Sequence, residues 1–184
     1  SITEKDIRSL FEQDQLKYLS EVMNYPGVLT RDSLVMNKIQ AAKDFHVPVD
    51  GHAPGLKGKE ALQYISAGIT TDHECYQLDE ALEKIHHGMK IIIREGSAAK
   101  NYDALHSLIA SHPDLVMFCS DDKHPHELVN GHINELVKRS IVKHGYDTMA
   151  VLRIACYHPI QHYKLDVGYL QVGQSADFIT VNNL

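Results

Sequence analysis

Short apolar runs that alternate with amphipathic segments constrain the fold of this chain more than any other feature. The runs have the length and composition of buried strands, and they lie at residues 16–23, 47–52, 69–73, 90–94 and 115–120. Apolar residues recur at helical spacing in the segments between them, at residues 32–44, 58–67 and 78–87. The order predicts an α/β fold with a parallel sheet, either open and doubly wound or closed into a barrel.

The length of the chain limits how much of a barrel it could form. Five strand–helix units fit into 184 residues, whereas a complete eight-unit barrel needs about 250 residues. A barrel formed by this sequence is therefore part of one. A mass of 20.7 kDa predicts a folded accessible surface of about 8,900 Å², against about 30,000 Å² for the unfolded chain.

Further elements are expected at both ends of the chain. An amphipathic helix is predicted at the start, with Ile7, Leu10 and Phe11 on one face. Two helices are predicted near residues 128–143 and 148–156. A tail follows these helices, and its glycines lie on either side of strand-like residues. This pattern predicts the beginning of another module.

Composition excludes several classes of protein. The 43% apolar and 23% charged residues are close to the average of soluble proteins. There is no apolar run of the roughly 18 residues that a membrane span needs, and no signal-like start, so we expect a cytoplasmic protein without a membrane partner. The net charge of −6, without a basic run, argues against a nucleic-acid polymer as partner. Three widely spaced cysteines fit neither a disulfide framework nor a metal clip.

Four of the five predicted strands end in a polar residue that a buried strand has no packing reason to contain. These residues are Glu21, His52, His73 and Asp121. The carboxyl ends of parallel strands meet at one rim of a sheet or barrel, so we expect the four side chains to converge. Two imidazoles and two carboxylates suit a divalent cation. The sequence therefore predicts a metal site assembled by the fold.

Other polar residues are expected at the same rim. Arg94 and Ser97 either recognise a flat heteroaromatic ring, or form a salt bridge and a helix cap. Glu74, beside His73, is a candidate proton carrier. His132 either caps a helix or lies at the edge of the pocket. Ordinary surface positions without a metal role are predicted for His46, His106, His112, His144 and His162.

Five phrases in sequence order are more specific than any of these patterns. They are SEVMNYPGV at 20–28, VDGHAPGL at 49–56, TDHE at 71–74, IREGSAAKN at 93–101 and FCSDDKHP at 118–125. Together with GQSADFI at 173–179, they resemble the bacterial adenine deaminases of the amidohydrolase superfamily. The resemblance extends from about Ile7 to the last residue.

The resemblance implies a fold and a domain division. It implies an incomplete (β/α)8 TIM-type barrel, covering strands four to eight of a longer enzyme, with the start of a C-terminal β module. The partial metal-dependent hydrolase barrel would occupy residues 1–165, and the first strands of a β-sandwich module residues 166–184. A first-strand His-x-His pair of the family would lie upstream of residue 1. Unpaired strand edges favour association, so we expect a homo-oligomer.

The resemblance also implies an activity in adenine catabolism, a branch of purine metabolism. The parent enzyme would hydrolyse adenine to hypoxanthine and ammonia with a metal-activated water, and the chain alone is expected to be inactive. The implied cofactor is a binuclear divalent metal, manganese or iron, with zinc as a further possibility. Glu21 would bridge the two metals, His52 and His73 would be ligands, and Asp121 would complete the set.

Residue roles in the chemistry follow from the same resemblance. Asp121 would take the proton of the water and pass it to the leaving ammonia. Glu74 or His132 would protonate a ring nitrogen, and Arg94 and Ser97 would orient the adenine. Two alternatives stay open: a related hydrolase of cyclic amides, similar to dihydroorotases and hydantoinases, and a non-catalytic metal-binding fragment.

Overall fold

Short parallel strands form the centre of the molecule. A computed structural model describes residues 2–181. In this part of the chain the strands are β1 (Leu19–Val22), β2 (Val49–Gly51), β3 (Thr71–Asp72), β4 (Lys90–Arg94) and β5 (Val116–Cys119). β1 pairs with β2, and β3, β4 and β5 form a second sheet in that order, all in parallel. The prediction of parallel strands alternating with helices is confirmed.

Helices connect the strands and pack against them. Those before β5 are α1 (Glu4–Gln13), α2 (Tyr25–Leu29), α3 (Ser33–Asp44), α4 (Gly58–Ser66), α5 (Leu78–His86), α6 (Tyr102–Leu105) and α7 (Leu108–Ser111). Those after β5 are α8 (Pro125–Leu128), α9 (Ile133–Lys138), α10 (Thr148–Leu152) and α11 (His158–Tyr163). A 3₁₀ turn spans Pro113–Leu115, and π-helical turns span Arg139–Lys143 and Arg153–Tyr157.

Local hydrogen bonds explain where the first helices begin. Thr3 and Asp6 form a capping box at the start of α1: Thr3 N donates to Asp6 Oδ2 (2.7 Å), and Asp6 N donates to Thr3 Oγ1 (3.3 Å). The Asp32 side chain caps α3 through a backbone N–H in the same manner. Ile7 and Phe11 then bury the apolar face of α1. The predicted helices at the start of the chain and between the strands are confirmed.

The two sheets approach each other closely at Gly51. A Cβ atom on Gly51 would lie 2.3 Å from the carbonyl oxygen of Thr71, so a larger residue has no room there. Thr70 N donates to Val49 O (2.8 Å) at the same place, which joins β2 to the segment entering β3. The five strands therefore follow one another in space as in sequence. Closure of such strands into an eight-stranded barrel stays a prediction.

The helices after β5 differ from the prediction. The predicted helix at 128–143 is wrong around Asn130 and Gly131, because Gly131 has φ +152° and the chain turns there before α9 begins. The predicted helix at 148–156 continues instead, through a π-helical turn, to Tyr163. It ends at Lys164, which has a left-handed backbone conformation (φ +50°).

The tail does not form the strands that its glycine pattern predicts. Residues 166–181 contain no strand in the described part of the chain, and Val172, Phe178 and Ile179 are exposed. A strand needs a partner for its backbone N–H and C=O groups, and none of the described strands pairs with this segment. Residues 182–184 of the predicted module lie outside the described residues, and the division at residue 165 stays a prediction.

The accessible surface is larger than the mass predicts. It measures 10605 Å², against the expected value of about 8,900 Å². Part of the excess is apolar side chains exposed near the β1 edge, Leu16, Tyr18 and Met23. Within residues 2–181, no helix combines the length and apolar character required to span a bilayer.

Candidate metal centre

The polar residues predicted to converge do lie at the same edge of the strands. Glu21 is part of β1, while His52 and His73 directly follow β2 and β3. Asp121 lies two residues beyond β5. These four side chains come from different strands, so the register of the parallel sheets rather than any local motif sets their separation.

Three of the four bring ligand atoms within coordinating range of a common point. Glu21 Oε2 lies 2.7 Å from His73 Nε2 and 3.5 Å from His52 Nδ1. One ligand atom from each of the three residues lies within 4.8 Å of the other two. The imidazole rings meet edge to face, with centroids 5.3 Å apart. Glu21, His52 and His73 are called the ligand triad below.

The two imidazoles present nitrogens without a hydrogen-bond partner. His52 Nδ1 and His73 Nε2 are buried, and neither forms a hydrogen bond with any described residue. Glu21 Oε2 is close to both nitrogens without forming a hydrogen bond to either, and a buried polar group without a hydrogen bond costs about 1–3 kcal/mol, which a bound cation would offset. Imidazole nitrogen and carboxylate oxygen are common ligands of divalent transition metals. The ligand triad therefore has the donor atoms and the unsatisfied nitrogens of a metal site.

Asp121 lies beside the ligand triad rather than within it. Its Oδ1 is 3.8 Å from His73 Nε2, and its Oδ2 is 2.7 Å from Arg94 Nη2. The backbone of Asp121 is left-handed (φ +39°), a conformation that a residue with a Cβ adopts at an energetic cost. This turn directs the carboxylate towards the triad.

Arg94 joins the acidic groups at this edge. Its guanidinium contacts the carboxylates of Glu74 and Asp121, and Nη2 is also 3.1 Å from Asp122 Oδ1. The Arg94 residue is buried, and its backbone N–H donates to Asn101 Oδ1 (2.7 Å). Of the two alternatives for Arg94, the salt bridge is the one that its contacts in the structure show. Its assignment to substrate binding stays a prediction.

Glu74 lies close to both imidazoles of the ligand triad as well as to Arg94. Glu74 Oε1 lies 3.8 Å from His52 Nδ1 and 3.7 Å from His73 Nε2. The Glu74 carboxylate is therefore close enough to exchange a proton with a molecule held between Arg94 and the ligand triad.

Ser97 and His132 have protein partners at the outer edge of the site. Ser97 Oγ contacts the Glu127 carboxylate and accepts from His124 N (2.8 Å). His132 Nε2 lies 2.7 Å from Ser120 Oγ, and its side chain does not cap α9. His132 occupies the N-cap position of α9 without a side-chain cap hydrogen bond, and substrate contacts for both residues stay predictions.

A cavity of about 420 Å³ opens beside Glu21 and His73 of the ligand triad, and part of its lining was not predicted from the sequence. Asp50 and Tyr163 line it together with Glu21, His73 and Asp121. Asp50 accepts hydrogen bonds from Tyr163 and from a neighbouring threonine, while burial raises the pKa of the Asp50 carboxyl. An acidic residue inside a short apolar strand was the available signal. A larger cavity, about 1330 Å³, lies between α10, α11 and the tail, and no triad residue lines it.

Four of the five histidines predicted to be ordinary surface residues are partly buried. His106 Nδ1 is 2.6 Å from Tyr146 Oη, and its ring centroid lies 4.1 Å from that of His144. Burial, together with the positive charge of Lys90, lowers the pKa of His162 to about 4. The surface prediction is wrong for these four residues, which are His106, His112, His144 and His162.

Comparison with known proteins decides the family. Residues 2–183 match the amidohydrolase family, which is nearly the whole chain. The chain belongs to the amidohydrolase family. Membership in this family implies a divalent metal cofactor, and the ligand triad, with its two unpaired nitrogens, fits such an ion.

Curated relatives of this amidohydrolase carry the name adenine deaminase. The adenine deaminase of Sulfurovum sp. (strain NBC37-1) is 55% identical over 179 residues, which are 97% of this chain and 33% of the relative. That of Salinibacter ruber is 54% identical over 97% of this chain and 32% of the relative. That of Borreliella burgdorferi is 49% identical over 100% of this chain and 34% of the relative. The predicted resemblance is confirmed, and the chain spans about a third of the length of these relatives.

Proposed function

We propose that this chain supplies the metal-binding and proton-transferring part of an enzyme that hydrolyses adenine to hypoxanthine and ammonia. The convergence of the ligand triad, with two buried imidazole nitrogens that form no hydrogen bond among the described residues and lie against the Glu21 carboxylate, is the observation that carries the proposal. The adenine deaminase relatives, about half identical over the chain, supply the substrate. The reaction adds one water across the C–N bond of the amine-bearing ring carbon.

The proposed metal ligands are Glu21, His52 and His73, with Asp121 as a fourth. A bound divalent cation supplies water activation, since it lowers the pKa of water from 15.7 to about 7. The resemblance implies two manganese or iron ions, or zinc, with Glu21 as the bridging carboxylate. The position of Glu21 Oε2 close to both imidazoles supports Glu21 as a ligand.

Asp121 is the proposed carrier of the water proton. Arg94 holds Asp121 Oδ2, which leaves Oδ1 facing the ligand triad at 3.8 Å from His73 Nε2. Asp121 Oδ1 would take a proton from the attacking water and give it to the departing ammonia. The proton is thereby returned to product, and the carboxylate is ready for the next cycle.

Glu74 is the proposed donor to a ring nitrogen of adenine. Its Oε1 contacts Arg94 and faces both imidazoles of the triad. Ser97, His132 and Arg94 are proposed to orient the base. Because Arg94 already pairs with three acids, Glu74, Asp121 and Asp122, its first role is to fix their carboxylates. Arg94→Ala with unchanged adenine affinity would remove it from the substrate contacts.

The remaining parts of the proposal concern the whole protein. The parallel strands support a partial TIM-type barrel over residues 1–165, with a β module beginning at 166–184. The open β1 edge supports a homo-oligomer, and the absence of a basic run in the sequence supports a small-molecule partner. Purine metabolism in the cytoplasm would be its setting.

The test measures metal content and adenine turnover in parallel. The purified chain, loaded with Mn²⁺ and dialysed, is analysed for metal, and hypoxanthine formation is followed by chromatography, with Sulfurovum adenine deaminase as positive reference. We expect bound Mn²⁺ but turnover far below the reference, because the resemblance assigns two further imidazoles to a segment upstream. Glu21→Gln should reduce bound Mn²⁺ at least about 10-fold, whereas Glu12→Gln, on the exposed face of α1, should not.

The possible results distinguish adenine deamination from the two alternative functions. Metal binding that does not depend on Glu21 would overturn the proposed site. Turnover of dihydroorotate or hydantoin, rather than adenine, by a longer protein containing this chain would favour the cyclic-amide alternative. Metal binding without turnover of either class in that longer protein would leave the non-catalytic alternative.

A further inference from the structure

A fully buried ionic network lies behind the ligand triad, and no step proposed above uses it. Lys84 of α5 is at its centre, and its Nζ donates to Asp72 Oδ2 (2.6 Å) and to Glu80 Oε1 (2.7 Å). All three side chains have no solvent exposure. Cys75 Sγ lies 3.6 Å from the same nitrogen. The sequence offers no local signal for this ionic network, because Lys84 has the spacing of an ordinary helix residue.

The network joins the two segments that carry the imidazoles. Lys84 Nζ also donates to the carbonyl oxygen of Ala53 (2.7 Å), the residue after His52. Asp72, the residue before His73, accepts at Oδ1 from Ala53 N (3.4 Å) and from Glu74 N (2.8 Å). Both backbone polar groups of Ala53 are therefore bound by the Lys84–Asp72 pair. The same pair holds the backbone on either side of His73.

Glu80 extends the same connection one loop further. Its Oε1 accepts from Gly55 N (2.8 Å), while Oε2 is buried without a hydrogen-bond partner among the described residues. The segment from Ala53 to Gly55 is thus bound to α5 through Lys84 and Glu80. Charged groups therefore fix the position of this segment relative to β3, in addition to the apolar packing of Ala53 in the core.

Stability alone does not explain such a network. Replacing a buried ion pair by apolar residues of similar volume is often neutral or stabilising, since desolvation offsets the attraction between the charges. Burial by itself lowers the pKa of Lys84, but the Asp72 and Glu80 carboxylates more than reverse this and raise it. Burial also raises the pKa of the Cys75 thiol. Lys84 Nζ donates to Ala53 O, Asp72 Oδ2 and Glu80 Oε1 in fixed directions, and such an arrangement is suited to fixing geometry.

We propose that Lys84 and Asp72 are positioning residues that set the separation and orientation of His52 and His73 for metal binding. This inference rests on the metal site proposed above. It predicts that loss of the Lys84–Asp72 pair lets the two imidazole segments move apart. Metal affinity then falls even in molecules that are fully folded.

The test compares two lysines that join the same elements. Lys84→Met removes the buried ammonium, while Lys57→Met removes an exposed one, whose Nζ reaches Asp79 of α5 at 2.8 Å. Mn²⁺ dissociation constants of the folded chain are measured by titration calorimetry, and the imidazole signals of the metal-free chain by NMR. We expect Lys84→Met to weaken Mn²⁺ binding about 10-fold to 100-fold and to shift the His52 and His73 signals. Lys57→Met should change neither.

A stability control and a second variant complete the design. Ile109→Ala destabilises the core around β4 and β5, to which Ala53 does not belong, and should leave Mn²⁺ binding by folded molecules unchanged. If Lys84→Met does not fold, Asp72→Asn takes its place, because it keeps an oxygen for the two backbone donors but loses the charge that pairs with Lys84.

The outcomes distinguish the inference from the function on which it rests. Unchanged Mn²⁺ affinity and unchanged imidazole signals in the folded Lys84→Met or Asp72→Asn chain would overturn the positioning role alone. An equal loss of affinity in Ile109→Ala would also overturn it, since affinity would then only follow stability. Absence of Mn²⁺ binding by the unmodified chain would overturn the metal site and the inference together.

Discussion

One buried tyrosine hydroxyl connects the strand that carries the proposed bridging carboxylate to the first proposed imidazole ligand. Tyr64 Oη donates to Val22 O (2.8 Å) and accepts from His52 N (3.0 Å), and the side chain is 0% exposed. Tyr64→Phe removes both hydrogen bonds and adds no bulk. A backbone carbonyl next to Glu21 and the amide of His52 would be left without this partner.

The cost of this change follows from the burial of the hydroxyl. Leaving a buried polar group unpaired costs about 1–3 kcal/mol, which for a chain of this size lowers the midpoint of thermal unfolding by about 2–4 °C for each kcal/mol. Burial raises the pKa of Tyr64, so the hydroxyl stays protonated and the effect should not vary near neutral pH. Urea unfolding followed by circular dichroism measures the free energy, and calorimetry measures Mn²⁺ affinity.

A second buried tyrosine provides the matched control. Tyr102 is also 0% exposed, and its hydroxyl lies 2.7 Å from Ser140 Oγ, in the core around β4 and β5. Tyr102→Phe should lose a comparable free energy of unfolding but no Mn²⁺ affinity, whereas Tyr64→Phe should lose both. Equal Mn²⁺ affinity in the two variants would refute the reasoning that Tyr64 positions the site.

Three further predictions concern the strands and the pH dependence of stability. Gly51→Ala should lower the midpoint of thermal unfolding, because the new Cβ would lie 2.3 Å from the backbone oxygen of Thr71. The expected loss in the free energy of unfolding is about 1–3 kcal/mol. An unchanged midpoint would contradict the close approach of β2 and β3. The imidazole of His162, buried and near Lys90, has a pKa lowered to about 4, below its unfolded value of about 6.5, so stability should be present above about pH 6.5 and fall towards pH 4. Urea titrations across this range should show a smaller fall in His162→Phe, and an identical fall would refute the assignment. Asn101→Ala should lower the free energy of unfolding by at least about 1–3 kcal/mol, since its amide binds three backbone groups beside the site; a smaller loss by urea titration would contradict this.

Local sequence patterns predicted most of the secondary structure because the interactions that form it are local. Capping groups such as Thr3 and Asp6 lie within one turn of the helix they start, and the strand β4 occupies the same residues, 90–94, that its apolar run predicts. The pattern failed where partners are distant or missing. Strand-like residues in the tail have no neighbouring strand to pair with in the described structure, so they do not form one.

The sequence by itself determined which residues could bind a metal and on which edge they would lie. The succession of strands along the chain and the polar residues at their ends follow from the sequence alone, and the ends lie on one edge because parallel strands have their carboxyl ends together. Only the tertiary structure decided that Glu21, His52 and His73 share a common point while Asp121 faces Arg94. It also placed Lys84 behind the imidazoles. Those distances depend on register and on contacts between residues far apart in sequence, where no local periodicity carries a signal.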